Sequence, residues 1–212
     1  MKLTSMTVKD FCELLSSDAP APGGGSSSAL SGALGAALTE MVSALSLGRD
    51  KYKEHEGLNR DIIMESSKLR LQLIDVIDRD TEAFNKVSAV FVMPKNTDKE
   101  KEARKQAMQA ALKACTLPPF EMMECSFEVL KLLEKALGRT NTNALSDLAV
   151  AGLSLKTAIQ GAWLNIIANI GAIKDEAFAS EYRKKGTDIL AEAVPLADKI
   201  YETALSNLKT NA

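Results

Sequence analysis

Apolar residues recur at helical spacing along the whole chain. Val8, Phe11, Cys12 and Leu15 fall at i, i+3, i+4 and i+7, behind a Thr7–Asp10 pair suited to capping. A breaker follows, PAPGGG from Pro20 to Gly25. The spacing then predicts a helix over residues 26–47 that stops near Gly48. Its face is built from Ala29, Gly32, Ala33, Ala36 and Ala37. Side chains this small let backbones approach closely, so this helix is expected at the centre or at a subunit contact. A long helix is predicted for residues 58–93, ended before Pro94. Thr97 and Glu100 form a capping box that opens a helix to about residue 114. Pro118 and Pro119 predict a break, with a new helix running to Leu137 and stopping at Gly138. Asn143 is placed to cap a helix reaching about Ile170, with Gly171 at its end. The last helix covers residues 176–208, with a kink expected at Pro195. The pattern gives an all-α, single-domain helical bundle over residues 1–212, with six to eight helices, several of them long and antiparallel. No repeat or long linker divides it.

Composition narrows the chemistry. Hydrophobic residues are 46% and charged residues 25%, enough for a full core without disulfide staples. A net charge of -2 excludes a strongly basic nucleic-acid binder. The single histidine, His55, lies in the charged run KYKEHEG and reads as a surface residue, so His-rich metal sites and Ser-His-Asp triads are set aside. Cys12, Cys115 and Cys125 lack CxxC spacing and read as small core residues of a protein from a reducing, cytoplasmic compartment. No metal site is expected. The N-terminus lacks an apolar signal region, and the uncharged runs at 19–39 and 157–173 are too polar to span a membrane.

Three places stand out. Asp80 falls between Ile77 and Phe84 in the apolar stripe of the long helix, so it is expected to face inward, whereas Asp78 and Glu82 are expected on the solvated side. An inward carboxylate needs a partner or a raised pKa, and serves as a general acid/base, a ligand contact or a bridge to a neighbouring helix. The Gly23, Gly24, Gly25, Ser26 run leads into a helix N-terminus, where free N–H groups favour an anionic or carbonyl-rich guest; a plain turn with Ser26 as cap is the other reading. Asn141, Asn143, Ser146 and Asp147 crowd another helix start. Asp147 shares roughly one helix face with Asn165 and Asn169, whose amides either bind a heterocycle's edge or bridge helices. Arg49, Lys51 and Lys53 form a charged run after the second helix.

Taken in order, PAPGGGSSSALSGALGAAL ending at Leu38, LGRDKY at Leu47 to Tyr52, DTEAF at Asp80 to Phe84, the Pro-Pro step, NTNALSD at Asn141 to Asp147 and IKDEAF at Ile173 to Phe178 resemble the formiminotransferase-cyclodeaminase C-terminal (cyclodeaminase/cyclohydrolase) family. The resemblance covers nearly the whole chain and implies a stand-alone member, an all-α homodimer that acts on tetrahydrofolate one-carbon adducts with no cofactor beyond that substrate. It implies a cyclodeaminase that converts 5-formiminotetrahydrofolate to 5,10-methenyltetrahydrofolate and ammonia. The alternatives are a cyclohydrolase interconverting methenyl- and 10-formyltetrahydrofolate, and a non-catalytic helical bundle that binds folate or a partner helix. On this reading Asp80 and Asp147 share the acid and base roles. Asn141, Asn143, Ser146, Asn165, Asn169 and the Gly23–Ser26 loop position folate, and Arg49, Lys51 and Arg139 meet its glutamate carboxylates.

Overall fold

The computed structural model describes residues 2–210. They form six α-helices: α1 (Val8–Leu15), α2 (Gly24–Ala44), α3 (Glu56–Phe91), α4 (Asp98–Ala136), α5 (Leu145–Ile170) and α6 (Glu176–Thr210). Short 3-10 turns at Leu3–Ser5, Asp50–His55 and Thr142–Ala144 connect them, and no strand occurs among the described residues.

Helix α2 is central because its side chains are small. It packs against α3, α4 and α5. Ala29 and Ala36 are fully buried. A Cβ at Gly32 would lie 2.8 Å from Ser126 Oγ, and one at Gly35 would lie 2.7 Å from Leu155 Cγ. Only glycine lets three helices close on α2 at these levels. Successive long helices run antiparallel: Val90 meets Arg104 and Arg79 meets Glu121 between α3 and α4, and Trp163 lies against Gly186 and Lys156 against Asp198 between α5 and α6. The core includes Ile62, Leu73, Met122, Leu130, Leu133, Leu155, Ile159, Ile166 and Ile200.

The expected caps form at two helices. Thr7 Oγ1 accepts from the Asp10 N–H (3.1 Å) ahead of α1, and Thr97 and Glu100 make a reciprocal capping box at α4. Three boundaries differ from the sequence-based expectation. First, α4 is one continuous helix through Pro118 and Pro119. Proline cannot donate to the carbonyl four residues back, here Cys115 O for Pro119. That carbonyl accepts instead from Asn169 Nδ2 of α5 (2.9 Å), which replaces one of the two bonds the proline pair removes. Second, Asn143 does not cap α5. Its N–H donates to Asn141 Oδ1 (3.1 Å), and the cap position is Ala144. Third, α2 begins at Gly24, which places Ser26 inside the first turn rather than at the cap.

Candidate functional site

A cavity of about 240 Å³ opens where the N-terminus of α2 meets α3, α4 and the C-terminal half of α5. Its walls include Gly24, Gly25, Asp80, Cys115, Asn165 and Asn169, with Phe84 as an apolar side. Asp80 is the carboxylate of this cavity, and the inward direction expected from helical spacing is the one it takes.

The glycine run serves Asp80. A Cβ on Gly25 would overlap both Asp80 carboxylate oxygens and lie 2.6 Å from its Cγ. Glycine at 25 therefore lets the carboxylate rest on the first turn of α2, where unpaired N–H groups and the helix dipole favour negative charge. The carboxylate nearest this helix terminus is the protein's own. Ser26 is fully buried. Its Oγ lies 3.1 Å from Asp80 Oδ2, 3.0 Å from the Ile77 carbonyl oxygen and 3.0 Å from Thr81 Oγ1. Desolvation raises the Asp80 pKa above its ordinary value, and hydrogen bonds from the Ser26 side chain and backbone oppose part of that rise. Cys115 is also buried, and its thiol is pushed up by desolvation and by the Asp80 charge.

The two amides of α5 do double duty. Asn165 Nδ2 donates to the Gly161 carbonyl (2.8 Å) and Asn169 Nδ2 to Cys115 O, while both residues line the cavity. Bridging between helices, one of the two readings of these amides, describes Asn169.

Asp78 corrects its expected place. It is buried at 8% exposure. It accepts from the Leu3 N–H (2.6 Å) and from Thr4 Oγ1 (2.6 Å), fastening the N-terminal turn to α3 two residues from Asp80.

The remaining candidates gather at the far end of α2. The Asn141 N–H donates to Ser46 Oγ (2.8 Å) and its Nδ2 to Leu45 O (3.4 Å). Lys51 Nζ reaches Thr142 Oγ1 (3.4 Å), and the Thr142 N–H donates to Tyr52 Oη (3.0 Å). Burial pushes the Tyr52 phenol up, but the Thr142 hydrogen bonds and the nearby Lys51 leave it below its ordinary value. Asn59 Nδ2 donates to the Arg139 carbonyl (3.2 Å). Arg49, Arg139, Asn143 and Ser146 are exposed and Asp147 is half-buried. The 21 residues of α2 separate this cluster from Asp80 by about 30 Å. Along α5, Asp147 and Asn165 share a face but stand about 27 Å apart. One chain thus carries two groups of candidate residues at opposite ends, and Asp80 and Asp147 do not meet within it.

Fold and cavity define an all-α protein with a largely desolvated carboxylate set against a helix N-terminus in its cavity. Residues 7–188 match the family described as formiminotransferase-cyclodeaminase. Over 202 residues the chain is 41% identical to methenyltetrahydrofolate cyclohydrolase of Methylorubrum extorquens, covering 95% of this chain and 97% of that protein. It is 30% identical to the rat formimidoyltransferase-cyclodeaminase over 90% of its own length, but spans only 35% of that relative. The crystal structure of formiminotetrahydrofolate cyclodeaminase from Thermotoga maritima superposes with a TM-score of 0.80 at 27% identity, covering 99% of this chain and 98% of the other. The chain belongs to the formiminotransferase-cyclodeaminase family.

Proposed function

We propose that this protein is a folate one-carbon enzyme, a methenyltetrahydrofolate cyclohydrolase. The observation that carries the reading is the proton-tolerant setting of Asp80. Ser26 has one hydroxyl proton and three oxygens within reach, Asp80 Oδ2, Ile77 O and Thr81 Oγ1. When Asp80 is ionised, Ser26 donates to it. When Asp80 is protonated, the carboxyl donates to Ser26 Oγ, and Ser26 turns its proton to the Ile77 carbonyl. The full-length likeness to the Methylorubrum cyclohydrolase supports the same choice and reverses the order of the two reactions expected from sequence.

The chemistry needs such a group. Water adds to the amidinium carbon of 5,10-methenyltetrahydrofolate while Asp80 takes one of its protons. Asp80 then returns that proton to N5 as the bond from N5 to the one-carbon unit breaks. The second water proton leaves to solvent, and the formyl group stays on N10. One carboxylate acts as base and then as acid, and its raised pKa brings both forms toward working pH.

The second reading is cyclodeamination, favoured by the likeness to the Thermotoga protein. Absorbance separates the two. Loss of added methenyltetrahydrofolate faster than the buffer blank is expected. Its appearance from 5-formiminotetrahydrofolate with ammonia release, and no accelerated loss, would select the deaminase. Neither signal would leave a binding bundle.

A homodimer belongs to this proposal. Helix α2 and its C-cap expose Leu34, Met41 and Leu45 at i, i+7 and i+11, and α5 exposes Val150, Leu153, Leu164 and Ile167. A two-fold axis across α2 brings the Arg139–Asp147 end of one chain to the Asp80 end of the other. Light scattering at the monomer mass across micromolar concentrations would remove this part of the proposal.

A further inference from the structure

A second cavity, about 280 Å³, lies where α3 hands over to α4 and is lined by Lys95, Lys101, Arg104, Lys105 and Met108. Four of its five lining side chains are cationic and none is acidic. Arg104 is held in place: its Nε donates to Val90 O (3.0 Å) and its Nη2 to Phe91 O (3.4 Å), at the C-terminus of α3. Lys101 and Lys105 have only exposed partners on their own helix, Asp98 at 2.9 Å and Glu102 at 3.5 Å. Exposed pairs of this kind exchange readily for another anion.

The cavity is aligned with the Asp80 site. Lys101, Lys105, Met108 and Leu112 precede Cys115 at helical spacing, so they continue the face of α4 that forms the Asp80 cavity wall. Met108 lies about 10 Å from Cys115 along the axis and Lys101 about 21 Å. On α3, Phe84 of the Asp80 cavity and Phe91, whose carbonyl holds Arg104, are about 10 Å apart in the same direction. An elongated ligand with its reacting end at Asp80 would set its other end among these cations.

We propose that this basic cavity is the subsite for the carboxylate tail of the substrate, the glutamyl end of a folate. The assignment rests on the folate reading above. Within one chain Arg49, Lys51 and Arg139 lie at the other end of α2, and they come near Asp80 only across the dimer proposed above.

The test compares wild type with Lys95→Ala/Lys105→Ala on substrate bearing three γ-linked glutamates and on substrate truncated at the aminobenzoate. KM for the tailed substrate is expected to rise more than KM for the truncated one, by about fivefold for each ion pair lost. The excess should fade in molar salt, where screening lengths shrink to about 3 Å. Calorimetric titration with p-aminobenzoyl-triglutamate gives a readout independent of turnover: binding to wild type, weakened in the double variant. Equal change for both substrates, or no change, overturns the subsite. Inorganic phosphate binding as tightly as the triglutamate probe would make it a free-anion site and also overturn the assignment. Should wild type turn over neither substrate, the folate reading fails, and the titration still decides the cavity.

Discussion

Gly25 and Asp80 occupy one space: the carboxylate fills the volume that any side chain at 25 would need. Gly25→Ala is therefore expected to push Asp80 off the first turn of α2. The cost of such overpacking is about 1–3 kcal/mol. Activity should fall further than stability, by about 10²-fold, because the carboxylate proposed as base and acid is displaced. Thermal denaturation beside kcat checks this. Wild-type turnover in the folded variant would show that the close approach does not matter.

Asp80→Asn should lower kcat by about 10²-fold or more with the fold intact. It should also change the pH dependence of stability. The folded carboxyl holds its proton more tightly than the unfolded one. Its contribution thus favours the folded state below the ordinary aspartate value of about 3.9, and is lost as pH rises through the higher folded-state value. Asp80→Asn removes this loss. Denaturant midpoints measured from pH 3.5 upward should fall less steeply in the variant; identical slopes would contradict the raised pKa.

Ser26→Ala leaves the desolvation of Asp80 in place and removes a hydrogen bond that lowers its pKa. The acid limb of the kcat/KM profile should move to higher pH. A profile of unchanged shape and reduced height would mean that Ser26 only packs.

Asn169→Ala strips the amide from Cys115 O beside Pro119. An unpaired carbonyl at such a position costs about 1–3 kcal/mol. For a chain of this size, Tm should fall by about 2–4 °C per kcal/mol. Scanning calorimetry reads the change directly, and an unaltered Tm would mean that the proline step needs no support from α5.

The legible part of this protein was whatever one helix dictates alone. Ile77 and Phe84 bracket Asp80 at helical spacing, and the inward direction followed. The same reasoning misplaced Asp78, because its burial is made by Leu3 and Thr4, some 75 positions earlier, which cover that flank of α3. Pro118 and Pro119 read as a break because local rules hold no record of a side chain from another helix. Asn143 read as a cap because Asn141 captures its N–H only once the turn at Thr142–Ala144 has formed. Helical periodicity also fixes angle and not height. It aligned Asp147 with Asn165 while leaving their separation along α5 out of view.

The bond from Asn169 to Cys115 O links two positions with different tasks. A residue bearing an N–H at 119 would restore the helix's own bond, and Asn169 would lose its structural duty. Conversely, with proline at 119, drift at 169 uncaps a carbonyl in the wall of the Asp80 cavity. Positions 119 and 169 should therefore covary among descendants of this sequence, and a lineage could release the amide for a new ligand only by first changing the proline.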